Sequence, residues 1–269
     1  MAAGAKRLSS GARSGDNRRM MRAAVPLVLL VSACGFRSPR ASEPDASGEP
    51  ADAPEALPLC GSDPSLLVCF SFDADPLPTS LPNEGRANVA ATLSNVTRIA
   101  RGKGGAVLLG ATSQMRVPPN AATTGFVAVE AWVRVDEDPP AGERVGIVDA
   151  DATSSAVSFF YYYGTASRQI RFEIGQQLFL DATLALGTWH YLAQVCDNNT
   201  LTAYVDGVKV GDHPGCAPGN ATTYGLQIGQ NNNQVGGDQW LVGAIDGIRM
   251  WTAPLTAAAI CQTAGRSDC

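Results

Sequence analysis

The sequence predicts an all-β fold of two antiparallel sheets packed as a sandwich, and three observations predict it. Residues 127–135 alternate strictly, with Val127, Val129, Ala131, Val133 and Val135 on one face and Ala128, Glu130, Trp132 and Arg134 on the other, the period of a half-buried strand. Asp206-Gly207 separates two strand-like runs, 201–205 and 208–210, which is the strongest short signal of a β-hairpin. A dozen or so short segments of this kind follow one another with turn residues drawn from 28 glycines and 17 prolines, the rhythm of a sandwich. The low charged fraction of 17% argues against coiled coils and long helical bundles.

Taken along the chain, residues 1–33 come first and lie outside the fold. Lys6, Arg7, Arg13, Arg18, Arg19 and Arg22 face a single acid, Asp16, and the apolar run 23–31 follows. That run is too short to span a bilayer, which takes roughly 20 residues, and reads as the h-region of an export signal. Val31-Ser32-Ala33-Cys34 resembles the bacterial lipobox, which implies that Cys34 is lipidated and becomes the first mature residue. The alternative is a secretory signal cut after Ala33 that leaves Cys34 free. Met20 and Met21 are alternative starts to Met1, with no consequence for the mature chain. Residues 34–58 are rich in Pro, Ala, Ser and acids, cannot bury enough apolar surface to fold, and are expected to be a tether.

Residues 59–269 hold the predicted domain. Strands are expected at 66–72, 106–109, 115–117, 127–135, 145–149, 156–163, 169–174, 177–180, 190–196, 201–205, 208–211, 225–228 and 243–251. Only 256–263, just after Pro254, reads as a short helix. With Cys34 set aside, six cysteines remain, Cys60, Cys69, Cys196, Cys216, Cys261 and Cys269. An even number in an exported domain predicts disulfides. Proximity favours Cys60 with Cys69, Cys196 with Cys216 and Cys261 with Cys269, and a competing set ties the domain ends together through Cys69 and Cys261. Their spacing gives no zinc motif.

Five blocks carry a family resemblance: residues 125–134 (GFVAVEAWVR), 187–195 (GTWHYLAQV), 201–210 (LTAYVDGVKV), 226–229 (LQIG) and 243–251 (GAIDGIRMW), with Leu255 and Ile260 beyond. In order and spacing they resemble a LamG-like, concanavalin A-type lectin domain, which implies a jelly roll over about residues 66–261. The resemblance also implies a structural calcium ion at the sandwich edge. Asp246 stands at the family's metal aspartate, with Asp73 or Asn83 to complete an oxygen-rich site. The family's first-strand motif is replaced by Leu81-Pro-Asn-Glu-Gly85, and a turn-capping role for Asp246 is the alternative.

Function is narrowed by exclusion. Net charge is −5 for the whole chain and −10 once residues 1–33 are removed, so there is no basic footprint for nucleic acid, and membrane attachment falls to the acyl chains. Hydrolytic relatives of the fold need Glu-x-Asp-x-x-Glu, which this sequence lacks, as it lacks Gly-x-Ser-x-Gly and His-Glu-x-x-His. A non-enzymatic role follows. His190 falls in the Trp-His block and is expected to be structural. Glu130, Trp132 and Arg134 could line an open sheet face as a glycan platform, or pack beneath a loop. Tyr161, Tyr162 and Tyr163 are candidate stacking groups. Asn231, Asn232, Asn233 and Trp240 form an amide-rich segment suited to sugar hydroxyls, although such a segment also fits a solvated turn. Asn-x-Thr sequons begin at Asn95, Asn198 and Asn220, but a bacterial host argues against their glycosylation. The expectation is a lipid-anchored protein of the bacterial envelope, the outer membrane before the inner, that binds glycans or surface polymers. The alternative is a structural or envelope-protein interaction domain without a sugar site.

Overall fold

The computed structural model describes residues 60–140, 143–150, 157–163, 168–181, 184–230 and 240–269. Two eight-stranded antiparallel sheets form the sandwich. Sheet A runs in spatial order β15 (Val208–Pro214), β14 (Thr200–Val205), β13 (Trp189–Asp197), β8 (Ala128–Val135), β18 (Gly243–Trp251), β5 (Gly104–Leu109) and β4 (Thr97–Arg101), and β1 (Leu66–Phe70) pairs with the second half of β18. Sheet B runs β12 (Gln176–Asp181), β11 (Arg168–Ile174), β10 (Val157–Tyr163), β9 (Glu143–Asp149), β17 (Leu226–Ile228), β6 (Gln114–Val117), β3 (Ala90–Ser94) and β2 (Ser80–Pro82). A small extra pair joins β7 (Thr124–Phe126) to β16 (Gly219–Asn220). Hairpins link β13 to β15 and β9 to β12, while the central neighbours of each sheet, such as β8 and β18 or β9 and β17, are far apart in sequence and need long crossovers.

The alternation in β8 does what its period requires. Val129, Ala131, Val133 and Val135 enter the inter-sheet core, where they join Phe70, Phe72, Phe159, Phe172, Ile245 and Met250. Phe159 and Phe172, from adjacent strands of sheet B, meet edge to face with centroids 5.7 Å apart. A polar side chain, Gln194, also crosses this core. The Gln194 amide donates to Glu173 O at 2.8 Å and accepts from Glu173 N at 2.7 Å, so a side chain of sheet A is hydrogen-bonded to the backbone of sheet B with no amide group left unpaired.

The three proximate cysteine pairs are the ones that form. Cys60 with Cys69 and Cys196 with Cys216 have Cα atoms 5.7 Å apart, and Cys261 with Cys269 5.6 Å; the competing Cys69 to Cys261 link is excluded. The predicted helix is α1 (Ala257–Thr263), where Thr256 accepts from Ala259 N as its cap and Ile260 is the buried residue. Sequence reading missed β2, β3 and β4, whose apolar residues are sparse and whose burial is patchy. It also missed the bulge in β18 between Asp246 and Arg249, where Gly247 takes φ +60°. The Ile-Asp-Gly-Ile turn signal marks a kink inside a strand, and the kink keeps both Asp246 and Arg249 on the outer face.

Candidate functional site

The outer faces of the two sheets differ in kind. On sheet A the residues that alternate with the core valines, Ala128, Glu130 and Trp132, are buried, with Glu130 1% and Trp132 6% exposed. Ala128 and Trp132 belong to a second apolar cluster with Tyr191, Ala193, Val195, Tyr204 and Ile260 of α1, flanked by Trp189, Trp251, Leu255 and Ala264. The C-terminal segment covers this face. It reaches the Asp206-Gly207 turn, where a Cβ on Gly207 would stand 2.8 Å from Ala264 Cβ.

Beneath that cover lies an ionic and aromatic layer. Glu130 accepts from Trp251 Nε1 at 2.8 Å and from the Tyr191 hydroxyl, and pairs with Arg249 at 2.7 Å. Burial raises its pKa, and Arg249 and Trp251 oppose the rise. Further along, Arg101 pairs with Asp246 at 2.6 Å and lies over the rings of Trp132 and Trp189 at 4.3 and 4.7 Å. Arg134 is half-buried; it forms a bidentate bond to Asp136 at 2.8 and 3.0 Å and lies over Trp189 at 5.6 Å. The structure thus brings Glu130, Trp132 and Arg134 onto one face, but as part of its packing rather than as an open groove. Arg101, Arg249 and Tyr191 escaped sequence reading because nothing local marks them; their partners are a sheet neighbour or a distant strand.

His190 is structural. Its Nε2 accepts from Ala185 N at 3.0 Å and its Nδ1 faces Asp206 Oδ2 at 2.8 Å, while Asp206 Oδ1 accepts from Tyr191 N at 2.8 Å. Both ring nitrogens are therefore engaged, with the proton on Nδ1. The bonds hold the entrance of β13 against the Asp206-Gly207 hairpin.

The residues expected to hold calcium do not make an open cation site. Asn83 accepts from Cys69 N and Gly85 N and donates to Leu67 O and Ala87 O at 2.6 to 3.0 Å, so its amide is spent fastening the 83–87 segment to β1. Asp73 accepts from Gly105 N at 2.9 Å, and Asp246 is already paired with a guanidinium. Among the described residues no group of three or more His, Cys, Asp or Glu is placed to hold a metal ion.

Sheet B is open along part of its outer face. Ala91, Leu93, Met115, Val117, Leu226 and Ile228 point into the core, so Thr92, Ser94, Gln114, Arg116 and Gln227 point out. Thr92, Ser94, Gln114 and Arg116 are exposed and Gln227 is half-buried. Thr92, Arg116 and Gln227 stand opposite one another on three adjacent strands, a polar row about 10 Å across at ordinary strand spacing. The row continues in register to Asp149, which is fully buried. On β11, Arg171 and Glu173 form a buried pair at 3.3 Å. Trp240 forms an isolated bridge to Gln230. Asn231, Asn232 and Asn233 lie outside the described residues, as do Cys34 and the side chains of Tyr161, Tyr162 and Tyr163.

Comparison with solved structures returns the same architecture. Domain 4 of AbnA, an extracellular GH43 arabinanase from Geobacillus stearothermophilus solved with arabinotriose, aligns over 74% of this chain and 98% of its own, at 16% identity and TM-score 0.59. A Trypanosoma rangeli sialidase mutant aligns over 76% of this chain and 34% of its own, at 14% identity and TM-score 0.53. The binding domain of botulinum neurotoxin serotype D aligns over 75% and 51%, at 11% identity and TM-score 0.55. Those identities establish a shared fold. No curated protein sequence matches the chain. A family model does, over residues 109–261 and hence more than half of the chain; with the two-sheet sandwich it describes now traced strand by strand, the chain belongs to the Laminin_G_3 family of the concanavalin A-like lectin/glucanases superfamily.

Proposed function

We propose that the domain is a non-catalytic binding module for glycans or other extended surface polymers, and that the ligand lies on the outer face of sheet B. The observation that carries this reading is the row Thr92, Arg116 and Gln227, polar groups held in register on rigid strands. Sheet A has no equivalent, since its outer face is filled by the C-terminal segment. The arabinotriose complex of a domain with the same fold supports a saccharide as the ligand class. A glycan array with the wild-type chain, followed by calorimetry on the best ligand, tests the reading. Arg116→Ala and Gln227→Ala are expected to weaken binding at least about tenfold each, or 1.4 kcal/mol. An array with no hits at high protein concentration, or variants that bind like wild type, would count against it.

The same proposal places the module outside the cytoplasm on a lipid anchor at Cys34. Three disulfide pairs support an oxidising compartment, and Val31-Ser32-Ala33-Cys34 supports the anchor. Mass spectrometry of the mature N-terminus is expected to show an acylated Cys34, and Cys34→Ala is expected to move the protein from the membrane fraction to the soluble one.

A protein partner is favoured by one observation. β15 is an edge of sheet A and is exposed along nearly its whole length, with Val208 46% and Val210 41% exposed, so its free backbone groups suit strand addition. Crosslinking from position 210 in envelope extract would identify such a partner.

A further inference from the structure

Arg101 pairs with Asp246 and stands in register with Gly104, against which Asp73 lies. Its Nη1 lies 2.6 Å from Asp246 Oδ2, and the two side chains are only 11% and 3% exposed. Asp73 provides the second negative charge. Its Oδ1 accepts from Gly105 N and lies against Gly104, whose register partner on β4 is Arg101 itself.

We infer that Arg101 is the built-in cation of this acidic edge. Its guanidinium neutralises Asp246 in place of a divalent metal ion, and the stability of the domain does not depend on calcium. Three physical features support this. A guanidinium stays charged at every pH the protein meets. It is flat and weakly hydrated, so it fits over the Trp132 and Trp189 rings, surfaces that attract a cation through their π faces but supply none of the six to eight oxygens that calcium takes. The remaining nitrogens, Nε and Nη2, are buried without hydrogen-bond partners, as is Asp246 Oδ1. The attachment therefore rests on charge and ring contact at one point, rather than on the bidentate fork seen between Arg134 and Asp136. A second cation at this edge would meet the Arg101 charge before it met a free carboxylate.

Thermal unfolding of the full chain tests the inference in two arms. In the first, wild-type protein melts in excess calcium and in EDTA, and the two midpoints are expected to agree within about 1 °C; a ligand at 100 times its Kd would move them by several degrees. In the second, Arg101→Met is expected to lower the midpoint by about 5 °C or more, because it leaves a buried carboxylate uncompensated. Adding Asp246→Asn to that variant is expected to restore at least half of the loss, since the stranded charge is gone. If Arg101→Met does not fold alone, the double variant is still expected to, and the calcium arm is unaffected. A wild-type midpoint that rises with calcium and falls with EDTA overturns the inference. So does a double variant no more stable than Arg101→Met.

Discussion

The two outer faces of the sandwich both belong to eight-stranded antiparallel sheets, yet one is closed and the other partly open. On sheet A the outward positions carry Trp132, Trp189, Trp251, Tyr191 and Tyr204, groups too apolar to leave in water, and the C-terminal segment with Ile260 lies across them. The charges that share this face are there on condition that they are paired, as Glu130 is with Arg249 and Asp246 with Arg101. On sheet B the outward positions of β3, β6 and β17 are Thr, Ser, Gln and Arg, which need no cover. Aromatic residues next to polar ones in a strand resemble a ligand platform in sequence, but the same composition can build a second core. What separates the two cases is whether another segment has an apolar group to place there.

Substitutions should separate the faces by stability. The largest effect is expected from Glu130→Ala, which removes the buried carboxylate that Arg249, Trp251 Nε1 and the Tyr191 hydroxyl share under the C-terminal cover. Urea denaturation should show a loss of about 3–5 kcal/mol, while binding by the folded fraction stays at the wild-type level. A loss below about 1 kcal/mol would mean that sheet A's outer face is not packed as described.

The next effect is one of pH. Burial holds the Asp246 carboxyl at about 6, above its ordinary 3.8, with Arg101 opposing and Asp73 adding to the rise. The native state then binds more protons than the unfolded chain between about pH 4 and 6, so stability falls as pH rises through this window. The stabilisation is complete below pH 4 and lost above 6. At about 1.4 kcal/mol per pKa unit, the contribution reaches about 3 kcal/mol. The difference between wild type and Asp246→Asn in chemical unfolding, followed from pH 4 to 7, should trace it; a flat difference removes the assignment.

A smaller effect is expected at Gly207. It takes φ +75° in the hairpin, and a Cβ there would press on Ala264. Gly207→Ala should cost about 1–2 kcal/mol and raise the hydrogen-exchange rate of α1 amides in particular. The smallest is expected on sheet B, where Arg116→Ala should change stability by no more than about 0.5 kcal/mol, although it removes a proposed ligand contact. A large stability loss there would show that the open face is structural too.

How much was legible depends on range. The alternation in 127–135, the Asp206-Gly207 hairpin, the 243–251 strand and the helix behind Pro254 are local patterns, and each stands in the structure at nearly its predicted bounds. The short-range cysteine pairs were legible for the same reason. β3 and β4 were not, because their apolar residues are few and their pairing with β6 and β5 is what makes them strands. The site was least legible. Sequence placed Glu130, Trp132 and Arg134 together, but Tyr191, Arg249, Trp251 and Ile260, up to 130 residues away, decide whether that face is open.

By itself, then, the sequence determined which residues alternate, where the chain turns, that the domain is a β sandwich, and that its cysteines can pair locally, because period, turn chemistry and spacing act over a few residues. Tertiary structure alone decided which face each sheet conceals. It closed the C-terminal helix over sheet A, set Arg101 against Asp246 across 145 positions of chain, and left Thr92 and Arg116 in the open beside a half-buried Gln227. Burial and charge pairing depend on what packs opposite a residue, and that neighbour is chosen by the whole fold.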